Sequence, residues 1–297
     1  MIKRAIYSIL LILITSLQVM GLPYCDVRKF SIIDGLAANT ISDIAQTPDR
    51  LMWFSTWNGI SYYDGNSFHT FRDEADGIDL LSTNRFKGIY ATARNNVWCI
   101  TANRRLYAYE TILCTFVPVG DNINKLYNID LRVDKIYPIK HDNTWVTTKS
   151  GDYLIRINGL QREGNIPELI KVGQDGLRSG NIWHIWADKK KREWILTDKG
   201  TTIYHNQFST PIPFKWVREV GDNIFLATQD GRLAVFDENN KLNMIPLPAG
   251  VTRINQLKNT GYQLLIATNL GMIIYNPHAP SRQKSSMYKA QASHWQR

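Results

Sequence analysis

Short apolar runs separated by turn residues form a regular pattern over residues 40–71. Residues 40–45 alternate broadly between polar and apolar side chains, and residues 52–56, 60–63 and 68–71 form three further runs. A proline and an Asp-Gly pair lie between the runs, where they favour reversals of the chain. Runs of this length and spacing predict four antiparallel β-strands.

The same pattern returns along most of the chain. Each copy contains a large apolar residue followed three positions later by a threonine, and successive copies lie 31 to 49 residues apart. The six copies begin at Trp53, Trp98, Trp145, Trp194, Phe225 and Leu265. A repeat of this length holds four short strands and is typical of a β-propeller blade. We therefore predict an all-β propeller of six four-stranded blades, either part of a seven-bladed ring or a closed ring of six.

A glycine and a threonine recur near the end of the second strand of the copies. The glycines are predicted to occupy a turn that requires positive φ, and Arg104 replaces the glycine in the second copy. The threonines are predicted to be structural, with hydroxyls that bond the nearby backbone. The glycines are Gly59, Gly151, Gly200, Gly231 and Gly271. The threonines are Thr56, Thr101, Thr148, Thr197, Thr228 and Thr268.

The second strand of each copy is apolar or small at nearly every position. Continuous apolar runs indicate strands covered on both faces, so the four repeated tryptophans are expected to be buried between blades. Strict alternation along a strand predicts that Trp183 and His184 face opposite ways, with one of them in the core.

Several segments lie outside the repeat. Residues 1–21 combine a basic start with an uncharged apolar stretch, which indicates an export signal, either cleaved or kept as an N-terminal anchor. Residues 277–297 contain no acidic residue and no strand periodicity, so a basic, disordered tail is expected. Residues 110–130 and 158–175 exceed ordinary turns and are predicted to be long loops.

The charge and the motifs exclude several classes of function. The formal net charge is +9, but six basic residues lie in the two terminal segments, and residues 22–276 carry +3. That part of the chain shows no basic face with interleaved aromatic residues, so nucleic acid is not a predicted partner. The six histidines lack metal-ligand spacing, and the sequence has neither a nucleophile elbow nor a phosphate-binding glycine loop. We therefore predict no metal, no cofactor, no catalytic residue and no enzymatic activity.

Four phrases in the first copy carry a resemblance to a known family. They are FSIIDGL at 30–36, NTISDIAQ at 39–46, LMWFST at 51–56 and GISYYDG at 59–65. They closely resemble the two-component regulator propeller repeat, and the likeness extends over residues 28–276. The resemblance implies the periplasmic sensor region of a Bacteroidetes-type hybrid two-component histidine kinase, in truncated form and without the kinase domain.

The resemblance also implies a ligand and a location. It implies recognition of polysaccharide-derived oligosaccharides in the periplasm, with self-association or other sensor segments as further partners. Membrane contact is expected only through an uncleaved N-terminal segment. A stand-alone propeller lyase or glycoside hydrolase, and a non-functional remnant, remain alternatives.

Propellers bind ligands at one end of the central channel, where the turns between second and third strands meet the loops that enter the first strands. Trp57 in such a turn is suited to stacking on a sugar ring, and Arg104 to binding a carboxylate or sulfate. Surface packing of Trp57 and a solvated Arg104 are the alternative interpretations. The predicted ligand-binding residues are Trp57, Asn58, Asn103, Arg104, Arg105, Lys149, Asn181, Lys199, Asp230 and Asn269.

Overall fold

The protein is built from six antiparallel sheets of four strands, and in each sheet neighbouring strands follow one another in the chain. The computed structural model describes residues 27–72, 83–92, 96–110, 114–139, 143–158, 166–173, 177, 180–206, 208–237, 239–279 and 285–288. The predicted all-β propeller fold with six four-stranded blades is confirmed. The predicted export signal, residues 1–21, lies outside the described residues.

The blades are numbered 1 to 6 in chain order, with four strands each. Blades 1 to 3 contain β1 (Ile41–Gln46), β2 (Met52–Thr56), β3 (Gly59–Tyr63), β4 (Phe68–Phe71), β5 (Phe86–Ala91), β6 (Val97–Thr101), β7 (Leu106–Glu110), β8 (Thr115–Val117), β9 (Val133–Pro138), β10 (Asn143–Thr148), β11 (Tyr153–Asn158) and β12 (Glu168–Lys171). Blades 4 to 6 contain β13 (Ile182–Ala187), β14 (Glu193–Thr197), β15 (Gly200–Ile203), β16 (Ser209–Thr210), β17 (Trp216–Val220), β18 (Asn223–Ala227), β19 (Leu233–Phe236), β20 (Leu242–Ile245), β21 (Ile254–Asn259), β22 (Leu264–Thr268), β23 (Gly271–Tyr275) and β24 (Ser285–Tyr288).

The prediction of long loops at residues 110–130 and 158–175 was wrong in part. The first contains β8 and an α-helix, α1 (Val119–Tyr127), and the second contains β12. Val119 and Ile123 of α1 are buried in the same hydrophobic cluster as Leu106 and Ala108 of β7. A helix that covers the third strand of blade 2 replaces exposed loop backbone with internal hydrogen bonds.

The prediction of a disordered tail over residues 277–297 was wrong for residues 285–288. These form β24, which pairs with β23 and completes the sheet of blade 6. The open edge of β23 supplies backbone partners, so a strand forms there although the sequence lacks a strand-like alternation. Residues 280–284 and 289–297 lie outside the described residues.

Each repeated aromatic residue of blades 1 to 5 packs against the following blade. Trp53, Trp98, Trp145, Trp194 and Phe225 are each at most 1% exposed, as predicted for the four tryptophans. They lie in five hydrophobic clusters, which join blades 1 and 2, 2 and 3, 3 and 4, 4 and 5, and 5 and 6. The repeat thus places one large anchor at every junction between successive blades.

Blade 6 differs from the others at the corresponding position. Leu265 is only half-buried and lies outside these clusters, and no hydrophobic cluster of the described residues joins blade 6 to blade 1. Met272 of blade 6 is 41% exposed and Ile44 of blade 1 is 52% exposed. Ile44 points away from blade 2, and Met272 points away from blade 5. The two end blades therefore carry apolar side chains on the face that is turned away from their neighbour.

The segment before blade 1 covers part of that blade's outward face. Phe30 packs against Tyr63 and Phe68, with ring centroids 5.0 and 5.4 Å apart. The amide of Ala37 donates to the hydroxyl of Ser61 at 2.9 Å. Residues 30–37 therefore form an N-terminal cap over β3 and β4 of blade 1.

The buried tryptophans should dominate the stability of the fold. Trp145→Ala should lower the free energy of unfolding by about 3–5 kcal/mol, a large part of the ~5–15 kcal/mol typical of a folded protein. Thermal denaturation followed by circular dichroism measures this as a marked drop in melting temperature. Trp57→Ala is the matched control, because Trp57 is 60% exposed, and it should change the melting temperature little. A small effect of Trp145→Ala would contradict the packing described above.

The uncovered faces of blades 1 and 6 should make the chain self-associate, because exposed apolar faces favour association. Light scattering on residues 22–297 should give a mass above that of a monomer. Met272→Lys should reduce the association, while Leu126→Lys, at an exposed position of α1, should leave it unchanged. A stable monomer would show instead that the six blades close into a ring.

Candidate functional site

Turns between second and third strands lie at one end of the blades, and the repeated threonines build them. Thr56 donates its hydroxyl hydrogen bond to the carbonyl of Gly59 at 2.8 Å and accepts one from the amide of Asn58 at 3.0 Å. Thr197 and Thr268 form the corresponding bonds to the carbonyls of Gly200 and Gly271. The predicted structural role of the threonines is confirmed for these turns.

The remaining turns are longer and contain a residue with positive φ inside the turn. Gly151 and Gly231 have φ of 77° and 90°, and Arg104 has φ of 68° at the corresponding position in blade 2. An arginine in this region is strained, because its Cβ crowds the backbone. The guanidinium of Arg104 bonds the Asp134 carboxylate of blade 3 at 2.9 Å, so its carboxylate partner belongs to the protein.

The predicted asparagines of blades 4 and 6 fix the loops that enter their own first strands. The amide nitrogen and the side-chain nitrogen of Asn181 donate to the Asp198 carboxylate at 2.8 and 3.2 Å. The side-chain oxygen of Asn269 accepts from the amides of Thr252 and Arg253 at 3.0 and 3.1 Å. These contacts give both asparagines a structural role in shaping the turn end.

The side chains of Asp230 and Asn58 are also held by hydrogen bonds to nearby residues. The carboxylate of Asp230 accepts from the hydroxyl of Thr228 and from Arg232. The hydrogen bond from Thr228 is the main cause that lowers the pKa of Asp230. The side chain of Asn58 donates to the carbonyl of Ala37 at 3.5 Å.

The other predicted residues of blade 2 belong to an ion-pair network that reaches blade 3. Arg105 lies 3.4 Å from the carboxylate of Asp121 and 3.2 Å from that of Asp130. Asn103 accepts a hydrogen bond from the hydroxyl of Thr101 through its side chain and one from Arg132 through its carbonyl. Both residues therefore connect the turn of blade 2 to the segment that leads into blade 3.

Trp57, Lys149 and Lys199 differ from the other predicted residues because no hydrogen bond to a described residue holds their side chains. Trp57 is 60% exposed, and the guanidinium of Arg85 lies 5.6 Å from the centre of its ring. Lys149 and Lys199 are exposed, and no described residue accepts a hydrogen bond from either ammonium group. These three side chains can contact a ligand without breaking an internal hydrogen bond.

Lys149 lines a cavity on blade 3. Its volume is about 560 Å³, within the range of small-molecule sites. The segment that leads into β9 and the turn after β10 contribute most of its lining. The lining residues are Ile129, Asp130, Leu131, Arg132, Thr148, Lys149, Ser150 and Tyr153.

A second cavity, which we call the channel cavity, lies among the first strands of blades 3, 4 and 5. Its volume is about 370 Å³. It is lined by Lys135, Trp183, His184, Lys215, Trp216 and Arg218. The ammonium group of Lys215 also donates to Gln229 in the turn after β18 at 2.9 Å, so the cavity reaches the same end of the blades as the predicted site.

Strand register explains why these side chains meet. Lys135, His184 and Trp216 each pair with the residue just before the repeated threonine in the second strand of their blade. They therefore occupy one equivalent position in three consecutive blades. The pairing of β13 with β14 also skips Trp183, between Ile182 and His184, as in a β-bulge.

The register shift corrects the expectation for blade 4. Strict alternation placed either Trp183 or His184 in the core, but both are half-buried and both line the channel cavity. A bulge interrupts the alternation of side chains, so consecutive residues can reach the same space. The channel cavity was not predicted from the sequence. Lys135 and His184 both lie 13 residues before the repeated threonine of their blade, but Trp216 lies 12 before, so the equivalence appears only in the strand pairing.

The channel cavity is electropositive. In the described part of the chain, no carboxylate lies within 4.0 Å of the charged groups of Lys135, Lys215 or Arg218. Burial lowers the pKa of Arg218. Burial first, and the charge of Arg218 second, lower the pKa of His184. His184 is therefore favoured as a neutral imidazole beside the guanidinium of Arg218.

Tyr137 packs next to the channel cavity. Its ring meets the ring of His184 edge-on, with centroids 6.1 Å apart. Its buried hydroxyl has no hydrogen-bond partner among the described residues. Burial raises the pKa of Tyr137 to about 12, so the hydroxyl stays protonated near neutral pH.

No group of three or more histidine, cysteine or acidic side chains in the part of the chain that the structure describes is arranged to hold a metal ion. Among the helices described, none is both long enough and apolar enough to cross a membrane.

The electrostatic coupling in the channel cavity can be measured directly. The pKa of His184, followed by NMR titration, should lie below its ordinary value of about 6.5. Arg218→Gln should raise it part of the way back, because the repulsion is removed while the burial remains. Arg50→Gln, in a turn of blade 1, should leave it unchanged. A His184 pKa that does not respond to Arg218→Gln would show that the two groups do not interact; a His184→Asn variant identifies the resonance.

Comparisons with known proteins agree on the fold. No protein family profile matches the sequence, and no curated protein matches it either. The extracellular domain of BT3049 from B. thetaiotaomicron, assigned to a hybrid two-component system, aligns with 90% of this chain at a TM-score of 0.53 and 18% identity. The extracellular domain of BT4673 from the same organism, assigned likewise, aligns with 90% at 0.52 and 15% identity.

A streptogramin B lyase aligns with 85% of the chain at a TM-score of 0.49 and 13% identity, over 84% of its own length. The chain spans 37% and 39% of the lengths of the two extracellular domains. At these identities the likeness is one of fold. The chain is thus similar in architecture to these two extracellular domains.

Proposed function

We propose that this chain is an exported propeller that senses oligosaccharides released from polysaccharides and does not itself catalyse a reaction. The proposal places it in the periplasm, as the input region of a hybrid two-component system. Signalling would then depend on a histidine kinase domain that these 297 residues do not supply.

The observation that carries the proposal is the channel cavity, because it combines two indole rings with several hydrogen-bond donors. Trp183 and Trp216 offer indole surface for the C–H groups of a sugar ring beside Lys215, whose ammonium group lies over both rings. The cationic side chains offer donors for the sugar oxygens. Sites that bind small molecules likewise combine aromatic surface with convergent polar groups, and this cavity is richer than most in basic side chains.

Three further observations support the proposal. The N-terminal residues have the pattern of an export signal, as is required for a periplasmic sensor. The fold resembles the extracellular domains of sensor proteins. Both cavities lie at the end of the blades where the turns converge, and function in propellers resides in such loops.

Binding within the channel also offers a route to a signal. The channel cavity is formed by three blades, so a ligand that contacts all three stabilises one arrangement of these blades over others. A ligand shifts such an equilibrium only by its difference in affinity for the two arrangements. A sensor of this design needs no catalytic group in the site.

Calorimetry with a panel of purified oligosaccharides tests the proposal. At least one should bind with modest affinity, and chromatography of the recovered ligand should show it unchanged. Trp183→Ala should weaken the binding, whereas Trp57→Ala separates a contribution of the exposed turn residue from that of the channel. Consumption of the saccharide would identify a lyase or hydrolase instead. No binding across the panel by folded protein would overturn the proposed function.

A further inference from the structure

We infer that the channel cavity binds an acidic saccharide, with a carboxylate or sulfate group among Lys135, Lys215 and Arg218 and a sugar ring against Trp183 or Trp216. The inference rests on the proposed function and adds the charge class of the ligand and the place where it binds.

Unbalanced charge is the first argument. Blades 3, 4 and 5 contribute Lys135, Lys215 and Arg218 to one small cavity, and its lining includes no acidic residue. Within the described residues, the guanidinium of Arg218 bonds only the carbonyl of Val217, at 2.7 Å. The ammonium of Lys215 bonds the neutral Gln229. Lys215 and Arg218 are half-buried without a carboxylate counter-charge, which is costly, whereas Lys135 is exposed. An anionic ligand would therefore be bound strongly in comparison with a neutral one.

The distribution of acidic residues around the first strands supports the same conclusion. Asp43 of blade 1, at the position equivalent to Lys135, accepts a hydrogen bond from the amide of Ile89 in blade 2 at 3.2 Å. Asp134 of blade 3 pairs with Arg104 at 2.9 Å. Both carboxylates bond groups of blades 1 to 3. Asp134 also acts electrostatically on Tyr137, but neither carboxylate lies within 4.0 Å of the charged groups of Lys135, Lys215 or Arg218.

The aromatic side chains indicate that the anion is part of a larger molecule. The ammonium group of Lys215 lies 5.9 and 5.3 Å from the ring centres of Trp183 and Trp216. A free inorganic anion gains nothing from indole rings, whereas a sugar acid contacts both the rings and the cations. A cavity of about 370 Å³ lies at the small end of ligand sites and suits one or two sugar units.

Calorimetry with four defined probes tests the inference: digalacturonic acid, galactose 6-sulfate, neutral galactobiose and inorganic sulfate. We expect at least one acidic saccharide to bind, more weakly at higher ionic strength, and galactobiose not to bind measurably. The two acidic probes distinguish a carboxylate from a sulfate. Loss of a charge-assisted hydrogen bond in Arg218→Gln should weaken the binding by about tenfold or more. Lys215→Gln should weaken it as well, and Lys171→Gln, at an exposed position of the outer strand β12, should not.

Each alternative outcome has a definite meaning. Equal binding of galactobiose, unaffected by Arg218→Gln and Lys215→Gln, would overturn the inference and leave the proposed function standing. Inorganic sulfate that binds as tightly as galactose 6-sulfate would overturn the saccharide part. Failure of every saccharide, here and in the wider panel, would overturn the proposed function itself. If Arg218→Gln does not fold, Lys215→Gln and the salt dependence of the wild-type protein decide the matter.

Discussion

The structure depends on the packing of one large apolar side chain from the second strand of each blade against the next blade. Trp53, Trp98, Trp145, Trp194 and Phe225 fill five junctions in the same way. A single sheet of four strands cannot bury its own faces, so each blade is stable only beside a neighbour. The spacing of the repeat therefore fixes the first strands side by side, and those strands line the channel.

The junctions hold the first strands of successive blades in fixed positions beside the channel. A register shift within one of these strands therefore decides which side chains line the channel. Five of the six first strands show a register shift near their start, and β17 is the exception. In blade 4 the shift brings both Trp183 and His184 to the channel cavity. The same scaffold can thus present different ligand-binding groups without any change in the blade packing.

The fold was predictable from the sequence to a greater extent than the site. The strands, the turns and the buried tryptophans follow from a repeat with six copies, because each copy has the same apolar run followed by the same kind of turn. β24 and α1 were not predicted because each depends on contact with another element. β24 forms on the open edge of β23, and α1 forms over β7, and a local sequence pattern does not show such contacts. The channel cavity was missed because a bulge cancels the alternation used to orient Trp183 and His184. The predicted turn residues do lie at one end of the blades, but Arg104 and several others bond within the protein.

The N-terminal cap makes the two ends of the blade series unequal. Phe30 and the backbone of residues 35–37 hold the outer strands of blade 1 on the face that no other blade covers. In the part of the chain that the structure describes, blade 6 has no comparable cover over Leu265 and Met272. In a linear array, local opening begins at the unit with the weakest neighbour contacts. Amide hydrogens of blade 6 would thus exchange with solvent before those of blade 1, and exchange would spread from the C-terminal end toward the channel.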